Sequence, residues 1–364
     1  MKMKYCLFIL LLLFTTTFLN AQPKTGFGKT WVFMVSLVEW EDTTLSKFDK
    51  EGRIDTKIID FFKKNDIPSN QIVYLIDKKA TTNTIRSEFV NFLKQAKKED
   101  NLFFYYSGHG YKNDDDKVCF ATYKGDEWSA EEIVSTVNNN FAGNKAFFTA
   151  DCCNSGGLSL EAKKYPNREY VALNSVVPSS ISTGNWTFSN ALLYGLQGKS
   201  FLDFNNNGNI TVEELSRYID EEMAIIEGQK AYYYIPPSMK NWVVTKNVLI
   251  KKNLLIGSRV MVNNDGEDYL GFVEDADLKN NFKIRYYSYT NHESEWVSLG
   301  KIKPYFFVDE FNIGTKVKAL SNFDSTWYTG KVIKKFLSLH LIHYDGYDSE
   351  WDEWIPTKHL KKLQ

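Results

Sequence analysis

The sequence predicts an α/β fold, a mostly parallel sheet with helices on both faces, followed by two small β-barrels. From about residue 28 to 250, continuous apolar runs of strand length alternate with segments whose apolar residues recur at helical spacing. Such alternation is typical of a parallel sheet covered by helices. After residue 251 the pattern changes to short β runs rich in aromatic residues. There the run at 256–260 recurs at 313–317, which indicates two copies of one small module.

The elements of the first part follow one another in a regular order. Apolar runs predict strands over 31–38, 72–76, 102–106, 146–150 and 243–250. Helical spacing of apolar residues predicts helices over 54–62, 85–96, 188–196 and 212–226. We therefore assign residues 26–250 to one domain, and 255–305 and 312–363 to the two barrels.

Residues 1–21 are predicted to be a secretory signal peptide rather than part of the fold. Lys2 and Lys4 precede an apolar run, and Ala21 is a small residue suited to a cleavage position. The run is shorter than the ~20 apolar residues that a transmembrane helix needs. We expect a secreted or periplasmic protein with no membrane span.

Charge and cysteine content narrow the function classes. The 364 residues carry a formal net charge of -1, which gives no basic surface for nucleic acid. Without Cys6 of the signal segment, three cysteines remain, Cys119, Cys152 and Cys153. An odd number is unlike a disulfide framework. A nucleophilic thiol would explain it.

Two predicted strands run directly into polar turns that contain glycine. The strand at 102–106 leads to His109 between Gly108 and Gly110, and the strand at 146–150 leads to the turn at 151–157. The carboxyl ends of parallel strands meet at one edge of a sheet, where sites form. An imidazole beside a thiol activates it as a nucleophile. The two turns together predict a His–Cys dyad, whereas either residue alone would more often be structural.

At these turns the sequence resembles the caspase-like cysteine peptidases, metacaspases in particular. Residues 106–110 read YSGHG and residues 151–156 match the pattern D-x-C-x-S-G. The resemblance covers about residues 28–250, and its spacing selects Cys153 as the nucleophile. Alternation of side chains agrees, since it places Asp151 and Cys153 on one face and Cys152 toward the core. Asn154 departs from the histidine usual in metacaspases, which leaves the subfamily open.

The resemblance implies a cysteine endopeptidase mechanism that requires no cofactor. Cys153 would attack the scissile carbonyl, and His109 would protonate the leaving amine. The backbone N–H groups of Gly110 and Cys153 would form the oxyanion hole. No third member of a triad is evident in the sequence.

The resemblance also implies a substrate preference. Asp151 matches the acid that lines the S1 pocket in metacaspases, so cleavage after Arg or Lys is expected. The alternative is that Asp151 only accepts hydrogen bonds from the turn backbone. Ser175 and Trp186 fall in the family's substrate-facing loop region.

Residues 203–214 match the spacing of an EF-hand calcium loop. Asp203, Asn205, Asn207, Thr211 and Glu214 fall at the ligand positions, and Asn209 offers its carbonyl. Asparagine at several of these positions keeps the charge low, so a calcium site here would be weak. The alternative is a plain capping box of Thr211 and Glu214 at a helix start.

The C-terminal modules resemble Tudor-like and chromo-barrel SH3-type domains, more clearly in the second copy, where residues 344–354 contain the Y-D-G and W-D-E-W motifs. In some relatives such aromatic residues bind cations by cation–π contact. Trp327, Tyr344 and Trp351 could supply that pocket here. The alternative is that these rings fill the core. We expect the barrels to bind a protein or cell-surface ligand.

Three interpretations of function follow. A peptidase acting on peptide or protein substrates is the leading one. A non-catalytic, caspase-shaped binding protein is the alternative, against which the presence of both His109 and Cys153 argues. Peptide ligation uses the same thioester chemistry as hydrolysis, so the sequence does not separate the two.

Overall fold

The computed structural model describes residues 29–246, 255–287, 294–305 and 310–363. The predicted signal peptide at 1–21 lies outside these residues. In the described part of the chain, no helix is both long enough and apolar enough to cross a membrane.

A six-stranded sheet forms the centre of the first part, and smaller sheets flank it. The strands of this part are β1 (Thr30–Ser36), β2 (Ile72–Ile76), β3 (Asn101–Ser107), β4 (Gly110–Lys112), β5 (Val118–Ala121), β6 (Glu127–Ser129), β7 (Lys145–Asp151), β8 (Glu169–Asn174), β9 (Asn209–Thr211), β10 (Tyr232–Tyr234) and β11 (Val243–Lys246). The central order is β10-β8-β7-β3-β1-β2. All neighbours are parallel except β10, which pairs antiparallel with β8. The carboxyl ends of β3 and β7 are therefore adjacent.

Helices cover both faces of this sheet. They are α1 (Ile54–Lys64), α2 (Thr82–Leu93), α3 (Ala130–Asn140), α4 (Gly157–Lys163), α5 (Thr187–Leu196) and α6 (Val212–Glu222). One buried cluster joins α1, α5 and α6 to Val32 and Met34, and the other joins α2, α3 and α4 to Phe33 and Val35. Successive β1 side chains thus point to opposite apolar layers, as expected for a strand buried on both faces. The predicted fold class is confirmed.

The boundaries differ from the predictions in places. Strand β2 has the predicted bounds, whereas β1 ends at Ser36. Helix α6 ends at Glu222 and continues as a π-helical turn, Met223–Glu227. The last predicted strand becomes β11, which pairs with β9 outside the central sheet. Strand β8 was not predicted, although it completes the parallel sheet beside β7.

The C-terminal part forms two five-stranded antiparallel sheets. Their strands are β12 (Arg259–Asn264), β13 (Glu267–Ala276), β14 (Asn281–Tyr286), β15 (Ser294–Ser298), β16 (Ile302–Pro304), β17 (Lys316–Leu320), β18 (Trp327–Phe336), β19 (Leu339–Tyr344), β20 (Glu353–Pro356) and β21 (Leu360–Lys362). The orders β15-β14-β13-β12-β16 and β20-β19-β18-β17-β21 are equivalent. Both copies have a register shift in the long second strand, at Val273/Asp275 and Val332/Lys334. The sequence repeat is therefore a structural repeat.

Buried ion pairs attach the first barrel to α6. Glu222 accepts from Arg285 at 2.8 Å and from Arg259 at 3.3 Å, and these three side chains are almost wholly buried. Burial alone would raise the pKa of the Glu222 carboxyl, but the two guanidinium groups hold that pKa below its ordinary value. The first barrel therefore contacts α6 through ion pairs that are buried in the interface.

The second barrel docks on the segment that follows α6. Trp354 and Leu341 pack against Ala224 of the π-helical turn. Lys230 forms a 2.8 Å ion pair with Asp352, whose side chain is 3% exposed. Apolar and ionic contacts therefore fix this barrel beside the edge of the central sheet.

Candidate active site

Four predicted site residues line one cleft at the carboxyl ends of β3 and β7. The cleft has a volume of ≈180 Å³. Its walls include His109, Asp151, Cys153 and Trp186, together with residues 182–185. The adjacency of β3 and β7 in the sheet brings the two turns together.

Glycine at position 110 allows the histidine turn to approach the cysteine turn. A Cβ atom at Gly110 would lie 1.9 Å from the Cys153 carbonyl oxygen and 3.0 Å from Cys152 Sγ. Any side chain at this position would therefore push the two turns apart. The contact places the Gly110 backbone beside Cys153, the predicted nucleophile.

The His109 ring is held between two aromatic side chains. Its centroid lies 4.4 Å from that of Trp40 and 4.6 Å from that of Phe48. Nε2 lies 2.8 Å from the carbonyl oxygen of Ser46, an acceptor only, so we assign the proton to Nε2. Nδ1 is then free of its proton and able to take one from a thiol. The Ser46 carbonyl supplies the orienting group that the sequence did not reveal.

The three cysteines of the described chain differ in environment. Cys152 is buried in the core and Cys119 is buried on β5, whereas Cys153 is partly exposed in the cleft. Burial raises the pKa of the Cys119 thiol to about 12 and that of Cys152 well above its ordinary value. Both therefore remain protonated at neutral pH and are poor nucleophiles. Cys152 lies in the core, as the alternation of side chains predicted.

The loop after β8 contacts the Cys153 sulfur directly. The backbone N–H of Ser182 donates to Cys153 Sγ at 3.2 Å. The Cys153 thiol in turn donates to the Ser182 carbonyl oxygen at 3.8 Å, so this loop residue holds the sulfur from both backbone groups. Ser175, predicted to face substrate, lies beneath the cleft and is fully buried. Its hydroxyl oxygen accepts from Cys152 N at 3.2 Å and from Ser182 Oγ at 3.3 Å, so it links the cysteine turn to this loop.

Asp151 is a carboxylate at the inner side of the cleft without a basic partner. Oδ2 accepts from Ser189 Oγ at 2.6 Å and from Ser189 N at 3.3 Å. Among the described residues that line the cleft, none is Lys or Arg. Burial raises the pKa of Asp151 to about 7, and the hydrogen bonds from Ser189 only partly offset that rise. A cation entering the cleft would therefore gain a desolvated counter-charge.

The predicted calcium loop forms the turn that its sequence indicates. The Asp203 carboxylate accepts from Asn207 N at 3.0 Å and from Gly208 N at 2.9 Å. Thr211 and Glu214 form both hydrogen bonds of a capping box. Within the described residues, no group of three or more His, Cys, Asp or Glu side chains is placed to hold a metal. Three of the predicted ligand residues, Asn205, Asn207 and Asn209, are asparagines, which are not among the four residue types considered in that statement.

Trp351 of the second barrel belongs to an exposed aromatic group. Its ring lies 6.2 Å from Phe323 and 6.2 Å from Tyr347. Tyr344, also predicted, lies below this surface and is 4% exposed. Its ring is 6.5 Å from Tyr347, so it forms the floor of the group.

Trp327 lies apart from these rings. It alternates with Tyr328 along β18, so the two side chains point to opposite faces. Tyr328 joins the aromatic group, 5.7 Å from Tyr347, while Trp327 packs under Lys361 with Nζ 4.0 Å from the ring centroid. The structure therefore groups two of the three predicted aromatics.

A family model supports the class of site that this geometry indicates. The model described as "Metacaspase, peptidase C14 domain" matches residues 61–160. This stretch contains His109, Cys153 and the two strands that carry them. Over this stretch the chain is similar to a caspase-like peptidase domain. The search of curated proteins gave no match.

Solved structures align at low identity. A protein of Geobacter sulfurreducens is 12% identical, with 58% of this chain and 97% of that chain covered and a TM-score of 0.41. The Drosophila initiator caspase Dronc is 8% identical, with 62% and 84% covered and a TM-score of 0.38. The ADCP1 tandem Agenet domain 3-4 is 19% identical, with 32% and 92% covered and a TM-score of 0.14. These scores are low, so the fold rests on the strand order and register given above.

Proposed function

We propose that this protein is a secreted cysteine endopeptidase that uses a His109–Cys153 dyad and cleaves after Arg or Lys. One observation supports it above all. A partly exposed thiol, an oriented imidazole and a half-buried carboxylate line one small cleft, whose described lining contains no Lys or Arg. The peptidase C14 match over residues 61–160 supports the same reaction class.

The proposed reaction proceeds through a thioester. His109 Nδ1 takes the proton of Cys153, and the thiolate attacks the scissile carbonyl carbon. The backbone N–H groups of Gly110 and Cys153 would stabilise the oxyanion. When the tetrahedral intermediate collapses, the C–N bond breaks and the imidazolium protonates the leaving amine. A water molecule, deprotonated by His109, then attacks the thioester and releases the acid and the thiol. An amine in place of that water would give ligation.

Arg or Lys at P1 follows from the electrostatics of Asp151. The half-buried Asp151 carboxylate, whose pKa is raised to about 7, has no compensating cation among the described residues that line the cleft. A guanidinium or ammonium group would supply one and would favour the ionised carboxylate. A substrate with a neutral P1 side chain would leave it uncompensated.

We extend the proposal to the remaining regions. Residues 1–21 would direct export and be removed after about Ala21.

The loop at 203–214 would bind calcium weakly, and a calorimetric titration showing no heat at millimolar calcium would exclude this site. The exposed group of Phe323, Tyr347 and Trp351 would bind a protein or cell-surface ligand. Substrate cleavage itself needs no cofactor.

The central test is cleavage of fluorogenic peptides that end in Arg or Lys, with and without calcium. The mature protein should cleave them, Cys153→Ala and His109→Ala should not, and Cys152→Ala should retain activity if it folds. A protein that folds but cleaves none of them would favour the non-catalytic binding protein instead. Activity in Cys153→Ala together with its loss in Cys152→Ala would move the nucleophile by one residue.

A further inference from the structure

We infer that Glu227 is a second acidic determinant of P1 specificity, acting from behind the wall of the cleft that residues 182–187 form. The inference rests on the proposed peptidase function. Glu227 is the last residue of the π-helical turn after α6, and neither the turn motifs nor the family match at 61–160 includes it.

Hydrogen bonds connect Glu227 to the cleft wall. Its Oε2 accepts from Asn185 Nδ2 at 3.1 Å, and its Oε1 accepts from Thr187 Oγ1. Asn185 lines the cleft beside Trp186. Both donors are neutral side chains, so neither brings a positive charge to the Glu227 carboxylate. The wall thus has a fixed negative group behind it.

The charge of Glu227 reaches the interior of the cleft. It contributes to the raised pKa of Asp151 after burial itself, because two like charges near each other oppose ionisation. The other titratable groups around Asp151 are Tyr105, Cys152, Cys153 and His109. None of these is a carboxylic acid, so Glu227 is the second carboxylate close to the bound P1 cation, behind the cleft wall.

The segment that carries Glu227 is anchored on both sides. Before it, Ala224 packs against Trp354 of the second barrel. After it, Gln229 Nε2 donates to the Ile181 carbonyl at 3.0 Å, and Lys230 pairs with Asp352. The barrel and the cleft loop therefore hold this carboxylate in place, as a specificity determinant requires.

The test compares two fluorogenic peptides that differ only at P1, where one has Arg and the other its neutral isostere citrulline. Glu227→Gln keeps acceptor oxygen and shape but removes the charge. We expect kcat/KM for the Arg peptide to fall roughly two- to fivefold, the range for one partly solvated charge, and kcat/KM for the citrulline peptide to stay unchanged. The acid limb of the Arg profile should also move to lower pH, which a purely structural role would not cause. Glu213→Gln, on the same helical segment but away from the cleft, is the matched control.

The outcomes separate this inference from the proposed function. Equal losses on both peptides, or an unchanged Arg preference with an unshifted pH limb, would overturn the role of Glu227 while leaving the peptidase intact. If the wild-type protein cleaves neither peptide, the peptidase proposal fails. Calorimetric binding of product peptides ending in Arg or citrulline to Cys153→Ala and to Cys153→Ala/Glu227→Gln then decides the charge effect. Equal Arg-over-citrulline preference in these two variants would overturn the inference.

Discussion

Replacing Asp151 by asparagine should make the protein more stable at pH 8 and inactive on Arg and Lys peptides. The pKa of this carboxyl is 3.8 in its ordinary state and about 7 in the folded protein. Between these values the folded protein holds a proton that the unfolded chain has released. The free energy of unfolding therefore falls as pH rises from about 4 to 7, by ~4 kcal/mol at most.

The asparagine side chain of the Asp151→Asn variant would be neutral at every pH, so it would not incur this cost. It also keeps an acceptor oxygen for Ser189, and any weakening of those hydrogen bonds would cost ~1 kcal/mol. The expected net gain is roughly 2–3 kcal/mol at pH 8, with no gain at pH 4. Loss of the counter-charge should lower kcat/KM for an Arg peptide by about two orders of magnitude or more.

The assay is urea unfolding of wild type and Asp151→Asn at pH 4.5, 6 and 8, beside kcat/KM for Arg and citrulline peptides. The difference in the free energy of unfolding between wild type and variant reports on Asp151 alone, because all other titratable groups are the same in both proteins. A variant that is less stable than wild type at pH 8, or a stability difference that does not vary with pH, would contradict a raised pKa at Asp151. Such a result would mean that a cation already compensates Asp151.

Three further substitutions test the contact between the two turns, the interface with the first barrel and the support of the His109 ring. Gly110→Ala should abolish cleavage, since its Cβ would overlap the Cys153 carbonyl, while circular dichroism stays native; retained activity would contradict the close approach. Glu222→Gln should destabilise the protein by about 3 kcal/mol in chemical unfolding, because it removes the carboxylate that Arg259 and Arg285 share and leaves each buried guanidinium with one remaining acidic partner. Exposed Glu213→Gln should change little. Trp40→Ala should lower kcat more than it raises KM, since it frees the His109 ring; an unchanged kcat would show that the ring needs no such support.

Much of the fold is readable from the sequence because its strands are buried on both faces. The apolar runs that became β1, β3 and β7 show no alternation of polar and apolar residues, as is typical of strands covered on both faces. Strand β2 lies at the sheet edge and is only partly buried, but its five residues are also all apolar or aromatic. Strand β8 was not predicted because Glu169 and Asn174 bound a short apolar stretch that also fits a helix. The π-helical turn after α6 has no sequence signal, since it depends on packing against the second barrel.

The site was predictable only where side-chain chemistry acts. His109, Cys153 and Asp151 lie in turns with a recognisable sequence pattern, so they could be predicted as site residues from their residue types. Ser46 and Ser182 act through a backbone carbonyl and a backbone N–H, which any residue would offer. Glu227 is distant in sequence from the turns, and tertiary packing alone brings it to the cleft wall. The burial that shifts the pKa of Asp151 is likewise a property of the assembled sheet and helices.

Labelling with a peptidyl-arginine chloromethyl ketone, followed by peptide mapping, is a direct test of Cys153 as the nucleophile and His109 as its base. The reagent presents a P1 guanidinium to Asp151 and an electrophilic carbon to the nucleophile. One equivalent should attach to Cys153, while Cys119 and Cys152 stay unmodified because burial keeps them protonated. His109→Ala should label far more slowly. Modification of Cys152 or Cys119 instead of Cys153, or equal labelling of wild type and His109→Ala, would contradict the His109–Cys153 dyad.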